Sequence, residues 1–453
     1  MDARPLLVGL VCVSLIGACA GTSGSAAPAP SSDPTRAASS PSPSPAPSRT
    51  PAAPTPSPSP VVPAVGEVVP PNTEAPEGDG TLGLDWVLAT KDEGWGTGIV
   101  HGPAGWLYVA LFDGEIPMIP RLRLSSDLRT WDEQKPDIAG MEGGSWALAA
   151  SDTAYVLAGQ NAGVWRSTDG RRWTAVAAAD GAGSSVDASG VVSDGRGFVA
   201  WRGPLATDGL WTSRDGRTWV KVALPGAPAV IVDAVTAQPS GGYVLAGRAG
   251  ETPAALDAVE GPAQRWEARP GTQAVWTSID GATWLPVPMG AGFKAARITG
   301  VAAGGPGGGI LAVGNDGLFD EQRNVERGVV VWRWADRVGW ERLMGQGFPP
   351  IEQDAGATRV LATPDRWLIV GSRMRADARN VLDLTPQGVV AGSEDGSAWW
   401  AVAPVVLGSV PPNYYLDAIG TEPGRLVFLT NSGPSIVGTV RIWVSPTMPK
   451  ANS

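Results

Sequence analysis

The residues of this chain best suited to bind a ligand are polar side chains that follow a series of similar short aliphatic runs. The runs end at Gln160, Arg202, Arg248, Asn315, Arg373 and Asn431. Each guanidinium can pair with a carboxylate through two parallel hydrogen bonds, so the three arginines together would suit an acidic ligand. The alternative is that each polar residue simply marks the end of a strand, where its side chain reaches water.

Composition narrows the remaining chemistry. The chain has 453 residues, a formal net charge of −10, one histidine and two cysteines. A single histidine, His101, argues against a histidine-rich metal site and a Ser-His-Asp triad, and two cysteines are too few for a zinc finger or a disulfide framework. The acidic balance argues against nucleic acid as a partner, which requires a basic surface. We therefore expect no metal site and no cofactor.

The N-terminus has the pattern of an export signal. Residues 6–18 form an apolar run that is too short to span a bilayer and is typical of a signal peptide, although the preceding segment is barely basic. The run ends in Ile-Gly-Ala followed by Cys19, which resembles the bacterial lipobox. That resemblance implies that residues 1–19 are a lipoprotein signal, that Cys19 is lipidated, and that the protein sits on the outer face of the cytoplasmic membrane. The alternative is an ordinary secretory signal with a chance cysteine.

Residues 20–80 are predicted to be a disordered tether. Residues 27–60 of the segment are nearly all Ala, Pro, Ser and Thr, so it cannot bury enough apolar surface to offset the entropy of ordering. Its proline content favours an extended spacer that would hold a folded body away from the membrane. No other long apolar run occurs, so we expect the lipid to be the sole membrane attachment.

The rest of the chain repeats a pattern that ends in Asp-Gly-x-x-Trp or a close variant. The aspartates are Asp127, Asp169, Asp215, Asp280 and Asp395, and the clearest tryptophans are Trp173, Trp219, Trp284 and Trp399. Alternating apolar residues lead into each copy, Asp-Gly can supply the positive φ of a tight turn, and an aromatic residue opens the returning strand. The pattern predicts a β-hairpin in which the Asp carboxylate accepts backbone N–H bonds.

These copies resemble the Asp-box, or BNR repeat, of sialidase-like β-propellers. The family pattern is Ser-x-Asp-x-Gly-x-Thr-Trp, and here it is one residue shorter, as in Ser213–Trp219 and Ser278–Trp284. The resemblance implies an all-β propeller in which the Asp and Trp residues are structural. It does not specify an activity, because such turns occur in propellers of unrelated function.

Two further strand patterns precede each copy, so the repeating unit has four strands, A to D. Full units are predicted at 98–136, 143–178, 187–224, 230–288, 297–344 and 357–403, and a seventh opens at 415. The seventh lacks its last strand, which residues 83–88 could supply, closing the ring and removing a free sheet edge. We therefore predict a seven-bladed propeller over 81–446, with six blades as the alternative, followed by a tail at 447–453.

The B–C loops are uneven, and the one after Arg248 is the longest, so we expect ligands at the face that carries these loops. Trp266 lies in that longest loop and is a further candidate contact. Repeat symmetry would place the polar residues at the ends of the B strands in a ring there. The sialidase family binds its substrate carboxylate with three arginines and uses a Tyr nucleophile. Tyr414 and Tyr415 are the candidates by position, but no Glu partner can be named and no catalytic residue is carried over.

The predicted role is a ligand- or protein-binding scaffold at the cell envelope, with an envelope protein or a glycan as its partner. The alternatives are a sialidase-like glycoside hydrolase and an assembly factor for an envelope complex. We expect a monomer.

Overall fold

A computed structural model describes much of the chain between Val87 and Val444. The described residues are 87–111, 120–134, 146–159, 163–176, 186–202, 209–227, 229–250, 273–290, 293, 297–315, 319–320, 325–326, 330–344, 355–374, 386–397, 399–402, 414–422, 425–432 and 439–444. All of them belong to one compact unit, Pro63–Ser453. The predicted signal with Cys19, the tether, Gln160, Trp266 and the tail lie outside these residues. Within them, no helix has the length and apolarity needed to cross a membrane.

The described residues form seven four-stranded antiparallel sheets and one two-stranded ribbon. The chain enters with β1 (Val87–Glu93), and sheet I comprises β2 (Trp95–Gly102), β3 (Gly105–Leu111), β4 (Pro120–Ser125) and β5 (Asp132–Gln134). Sheet II comprises β6 (Trp146–Ala150), β7 (Tyr155–Gly159), β8 (Gly163–Ser167) and β9 (Thr174–Val176). Sheet III comprises β10 (Gly190–Ser193), β11 (Phe198–Trp201), β12 (Leu210–Ser213) and β13 (Val220–Lys221).

The later sheets follow the same order. Sheet IV comprises β14 (Val230–Ala237), β15 (Tyr243–Ala249), β16 (Gln273–Ser278) and β17 (Leu285–Val287). Sheet V comprises β18 (Arg297–Ala303), β19 (Ile310–Asn315), β22 (Val330–Ala335) and β23 (Gly339–Met344), and the ribbon is β20 (Phe319–Asp320) with β21 (Val325–Glu326). Sheet VI comprises β24 (Ala355–Ala362), β25 (Trp367–Met374), β26 (Pro386–Ser393) and β27 (Trp400–Val402). Sheet VII comprises β28 (Tyr414–Glu422), β29 (Arg425–Ser432) and β30 (Thr439–Val444), completed by β1.

The second strand of each sheet is aliphatic because neighbouring sheets cover both of its faces. β7, with the sequence YVLAG, is buried at every residue, and β15 is buried at all but its last residue. The fourth strands β5 and β9 are exposed over most of their length. A strand buried on both faces shows a continuous apolar run, whereas a strand with one wet face alternates.

Consecutive sheets contact one another and the last contacts the first, which makes the arrangement a ring. β2 contacts β6, β6 contacts β10, β10 contacts β14, β14 contacts β18 and β18 contacts β24. β28 contacts β25 and β26 on one side and β2 on the other. Radially arranged four-stranded antiparallel sheets constitute a β-propeller, so the predicted fold class is confirmed.

The N-terminal strand closes the ring, as predicted. β1 pairs antiparallel with β30, from Val87 opposite Val444 to Glu93 opposite Thr439. The described strand overlaps the predicted 83–88 at its first two residues and continues to Glu93, and its polar end contacts sheet I. Asp92 accepts a hydrogen bond from the Tyr108 hydroxyl and forms an ion pair with Arg123 at 2.6 Å. Burial, followed by the bond to Asp92, raises the pKa of Tyr108 far above its usual range.

The apolar core lies between neighbouring sheets rather than at one centre. Between sheets II and III, for example, Phe198 and Trp219 pack with aliphatic residues of both sheets. Hydrogen bonds from the start of second strands add to this packing. Tyr155 Oη donates to the carbonyl of Gly105 at 2.7 Å, and Trp367 Nε1 donates to the carbonyl of Pro306 at 3.0 Å. Each bond ties a sheet to a hairpin of the sheet before it.

Candidate ligand-binding face

Every sheet has two ends with different chemistry. The turn end carries the hairpin between the first and second strands and the turn between the third and fourth, as in 193–197 and 213–219 of sheet III. The loop end is opposite, where third strands begin and fourth strands end. In sheet III, Leu210 pairs with Trp201 and Lys221 pairs with Trp211, which places both at the loop end.

The turns between third and fourth strands are built around an Asp carboxylate that accepts backbone hydrogen bonds. In sheet IV, Asp280 Oδ1 accepts the N–H groups of Ala282 at 2.9 Å and Thr283 at 2.8 Å. Ser278 Oγ donates to the same carboxylate at 3.1 Å and accepts the N–H of Gly281 at 2.8 Å. The other predicted aspartates, Asp127, Asp169, Asp215 and Asp395, accept equivalent bonds.

These bonds stabilise the charged form of the carboxylates. The N–H of Thr130 lowers the pKa of Asp127, that of Arg172 lowers the pKa of Asp169, and that of Thr283 lowers the pKa of Asp280. A carboxylate that accepts two or three backbone N–H bonds favours ionisation. These aspartates are therefore anions engaged with their own turns.

The tryptophan of each turn folds back onto the residue that follows the Asp. The indole Nε1 atoms of Trp173, Trp219, Trp284 and Trp399 donate to glycine carbonyls within their own turns at 2.9–3.3 Å. These glycines, such as Gly281 with φ 74°, adopt a left-handed conformation that has no steric cost for glycine. In sheet I the position is Leu128, with φ 64°, and its side chain is buried in the core between sheets VII and I.

Arg248, a predicted ligand contact, is engaged inside the protein. Its Nε lies 3.0 Å from Asp233 Oδ2 and its Nη2 lies 3.1 Å from Oδ1, a bidentate pair. The two side chains are 2% and 1% exposed. Binding an external carboxylate there would require this buried ion pair to be broken, which is strongly unfavourable.

Asn431 is also engaged inside the protein. Its Oδ1 accepts the N–H of Gly96 and its Nδ2 donates to the carbonyl of Gly96, each at 2.7 Å, so the amide ties sheet VII to sheet I. The pairing of β2 with β3 is irregular at Thr97, directly after Gly96. In sheet V the same irregularity follows Ile298, whose N–H bonds to Gln273 Oε1 of sheet IV at 2.9 Å. Side-chain amides thus satisfy backbone groups next to these β-bulges.

The structure describes two further candidates, Asn315 and Arg373, by their backbone register. Asn315 has the same register as Arg248 and Asn431, two pairs beyond the bulge. Arg373 lies one position further along its strand, opposite Ala355, because Ser372 takes the equivalent place. The side chains of Asn315 and Arg373 are not described.

Arg202 follows the shorter strand β11 and forms its own ion pair with Asp187 at 2.9 Å, with 49% of its side chain exposed. Phe198 and Tyr243 occupy equivalent places, because each starts its strand opposite the serine of its turn, Ser213 or Ser278. Arg248 is the fifth residue after Tyr243, whereas Arg202 is the fourth residue after Phe198, so Arg202 lies one position earlier. Arg202 and Arg248 therefore engage separate carboxylates on different sheets. Tyr414 and Tyr415 begin β28, and their side chains lie outside the described part.

A cavity at the loop end was not foreseen from the sequence. It has a volume of about 650 Å³ and lies between sheets III and IV. Its lining residues are Gly209, Leu210, Lys221, Val222, Ala223, Leu224, Gly226, Ala227, Val230 and Val232. Such a volume is within the range of small-molecule sites.

The cavity follows from a step between a short sheet and a long one. β10 has four residues and β14 has eight. Because the two sheets are aligned at the turn end, the extra length of sheet IV lies at the loop end, above sheet III. The connection over 222–227 crosses this step and is held by the Trp276 Nε1 bond to the carbonyl of Pro225 at 3.3 Å. The signal in the sequence would have been the difference in length between the third and fourth predicted units, not any polar residue.

Among the described residues, no group of three or more His, Cys, Asp or Glu is placed to hold a metal ion. No protein-family profile matches the chain. No curated protein sequence matches it either.

Similar solved structures include β-propellers. One is YCF48 bound to D1 peptide, at 13% identity over 84% of this chain and 99% of that chain, with a TM-score of 0.49. The WD40 β-propeller domain of Doa1 is similar at 11% identity over 81% of this chain and 98% of that chain, with a TM-score of 0.43. Trypanosoma rangeli sialidase in complex with sialic acid is similar at 12% identity over 77% of this chain and 53% of that chain, with a TM-score of 0.39. Likeness at this level bears on the fold alone.

Proposed function

We propose that this protein is a ligand-binding module that uses the cavity at the loop end of its propeller. The observation that carries the proposal is the cavity of about 650 Å³, whose lining is mainly aliphatic. Leu210, Val230 and Val232 form its buried wall. An apolar, partly enclosed volume on a rigid ring is the usual form of a small-molecule site.

The closing strand begins at the end of the propeller opposite the cavity. β1 begins at Val87, opposite Val444 at the turn end, and runs to Glu93 at the loop end. The predicted tether would therefore join the propeller at the turn end.

The module is proposed to be a seven-bladed member of the Asp-box propellers, exported and held on the outer face of the cytoplasmic membrane by lipid on Cys19. The test is metabolic labelling with a fatty-acid analogue in a bacterial host. Labelling of the wild type and its loss in Cys19→Ser would support the anchor, with Cys12→Ser as the matched control. An unlabelled wild type would contradict it.

A sialidase-like hydrolase is the weaker candidate. That chemistry requires arginines that converge on one substrate carboxylate, whereas Arg202 and Arg248 are paired with Asp187 and Asp233 on different sheets. An assembly factor for an envelope complex is the other candidate, because the fold does not determine which partner the protein binds.

The binding function is tested by titrating the protein with the neutral apolar dye Nile red. We expect one saturable site per chain, weakened in Ala227→Phe or in Ala223→Phe, since either ring would take up space among the lining residues. Ala282→Phe, at an exposed position of the turn end, is the matched control and should bind like the wild type. Equal dye binding by all four proteins would refute the proposal.

A further inference from the structure

The described lining of the cavity carries charge of one sign. Among these described residues, Lys221 is the only charged one. It ends β13 at the mouth, is exposed, and forms no ion pair with any described residue. A lysine can lay its alkyl stem along an apolar wall while its ammonium group stays in water.

The rest of the lining selects for a hydrocarbon body. Besides glycine, the other lining residues are Leu, Val and Ala. The Trp276 ring is 2% exposed and its Nε1 is bonded to Pro225, and Trp201, which pairs with Leu210, is partly buried among the same aliphatic residues. The described lining residues include no carboxylate that would attract a cation and no aromatic ring on which a planar group could stack.

We propose that the cavity takes an aliphatic monocarboxylate of the fatty-acid type. The hydrocarbon chain lies against Leu210, Val230 and Val232, and the carboxylate lies against the ammonium group of Lys221. This names the ligand class of the proposed binding function and rests on that function.

Chain length provides a direct measure of the hydrocarbon contact. Each buried methylene is worth about a fourfold gain in affinity, so decanoate, which has two more methylenes, should bind about sixteenfold more tightly than octanoate. The gain should stop once the chain fills the cavity.

The head group is tested by displacing Nile red from the full chain with three ten-carbon amphiphiles. These are decanoate, decanol and decyltrimethylammonium, which carry a negative, a neutral and a positive head. We expect decanoate to bind most tightly and the cation least tightly. Because Lys221 is exposed, its pairing is modest, so Lys221→Gln should weaken decanoate about fivefold and leave decanol unchanged. The decanoate advantage should also shrink in 1 M salt.

Arg217→Gln is the matched control, because Arg217 is an exposed cation at the turn end. It should change the affinity of none of the three amphiphiles. Equal affinity for decanoate and decanol, with no effect of Lys221→Gln, would overturn this inference while leaving the binding function intact. Failure of Nile red to bind, or dye binding that is unchanged in Ala227→Phe, would overturn both.

Discussion

At the residue scale, the turn aspartates matter through the hydrogen bonds they accept. Asp280→Ala removes the acceptor for the N–H groups of Ala282 and Thr283. We expect it to lower the free energy of unfolding by about 1 kcal/mol, measured by urea denaturation. Asp280→Asn retains one oxygen and should lose less. Asp336→Ala, in the sheet V turn where no described bond engages the carboxylate, is the control and should have little effect.

The same carboxylates predict how stability depends on pH. Their folded pKa values lie below the unfolded value of about 3.9, because backbone N–H groups stabilise the anion. A lowered folded pKa adds stability above the unfolded pKa, and that stability is lost as pH falls below about 4 towards the folded value. The melting temperature should therefore be flat from pH 7 to 5 and fall steeply below pH 4. The Asp169→Asn/Asp280→Asn double variant should fall less steeply, and a parallel fall would contradict this assignment.

Also at this scale, the sequence predicted which aspartates and tryptophans occupy equivalent places, because the turn pattern is local. It could not predict the partners of Arg248 or Asn431. Asp233 and Gly96 lie on other strands, and their approach depends on bulges in first strands that no local pattern marks.

At the element scale, the contact between the last and first sheets depends on one buried amide. Asn431→Leu would leave the N–H and C=O of Gly96 without the two bonds they now make. Since each unsatisfied buried group costs about 1–3 kcal/mol, we expect a loss of about 3 kcal/mol in the free energy of unfolding. Gln134→Leu, an amide replaced on the outer strand β5, is the control. Equal losses in the two variants would show that Asn431 does not tie the sheets together.

Strand order was predictable because each unit repeats the same two aliphatic runs before its turn, and the ring then required a strand from the N-terminus. Strand length was harder to predict. β10 is four residues and β14 is eight, although both follow similar valine-rich patterns. That difference creates the cavity, so the site could not be found from residue types alone.

At the scale of the whole molecule, the two ends of the propeller have different roles. The turn end is occupied by internal hydrogen bonds and receives the chain at Val87. The loop end holds the cavity between sheets III and IV. The chain carries a formal net charge of −10, whereas the charged residue among the described cavity-lining residues, Lys221, is a cation.

Photo-crosslinking locates a bound ligand on the chain and so tests whether ligands bind in this cavity. A neutral aliphatic diazirine probe would be irradiated with the full chain, and the labelled peptides located by mass spectrometry. The account predicts labels within 209–232, competed by decanol and weaker in the Ala227→Phe variant. Labels concentrated on the turn end, or scattered along the chain without competition, would contradict it.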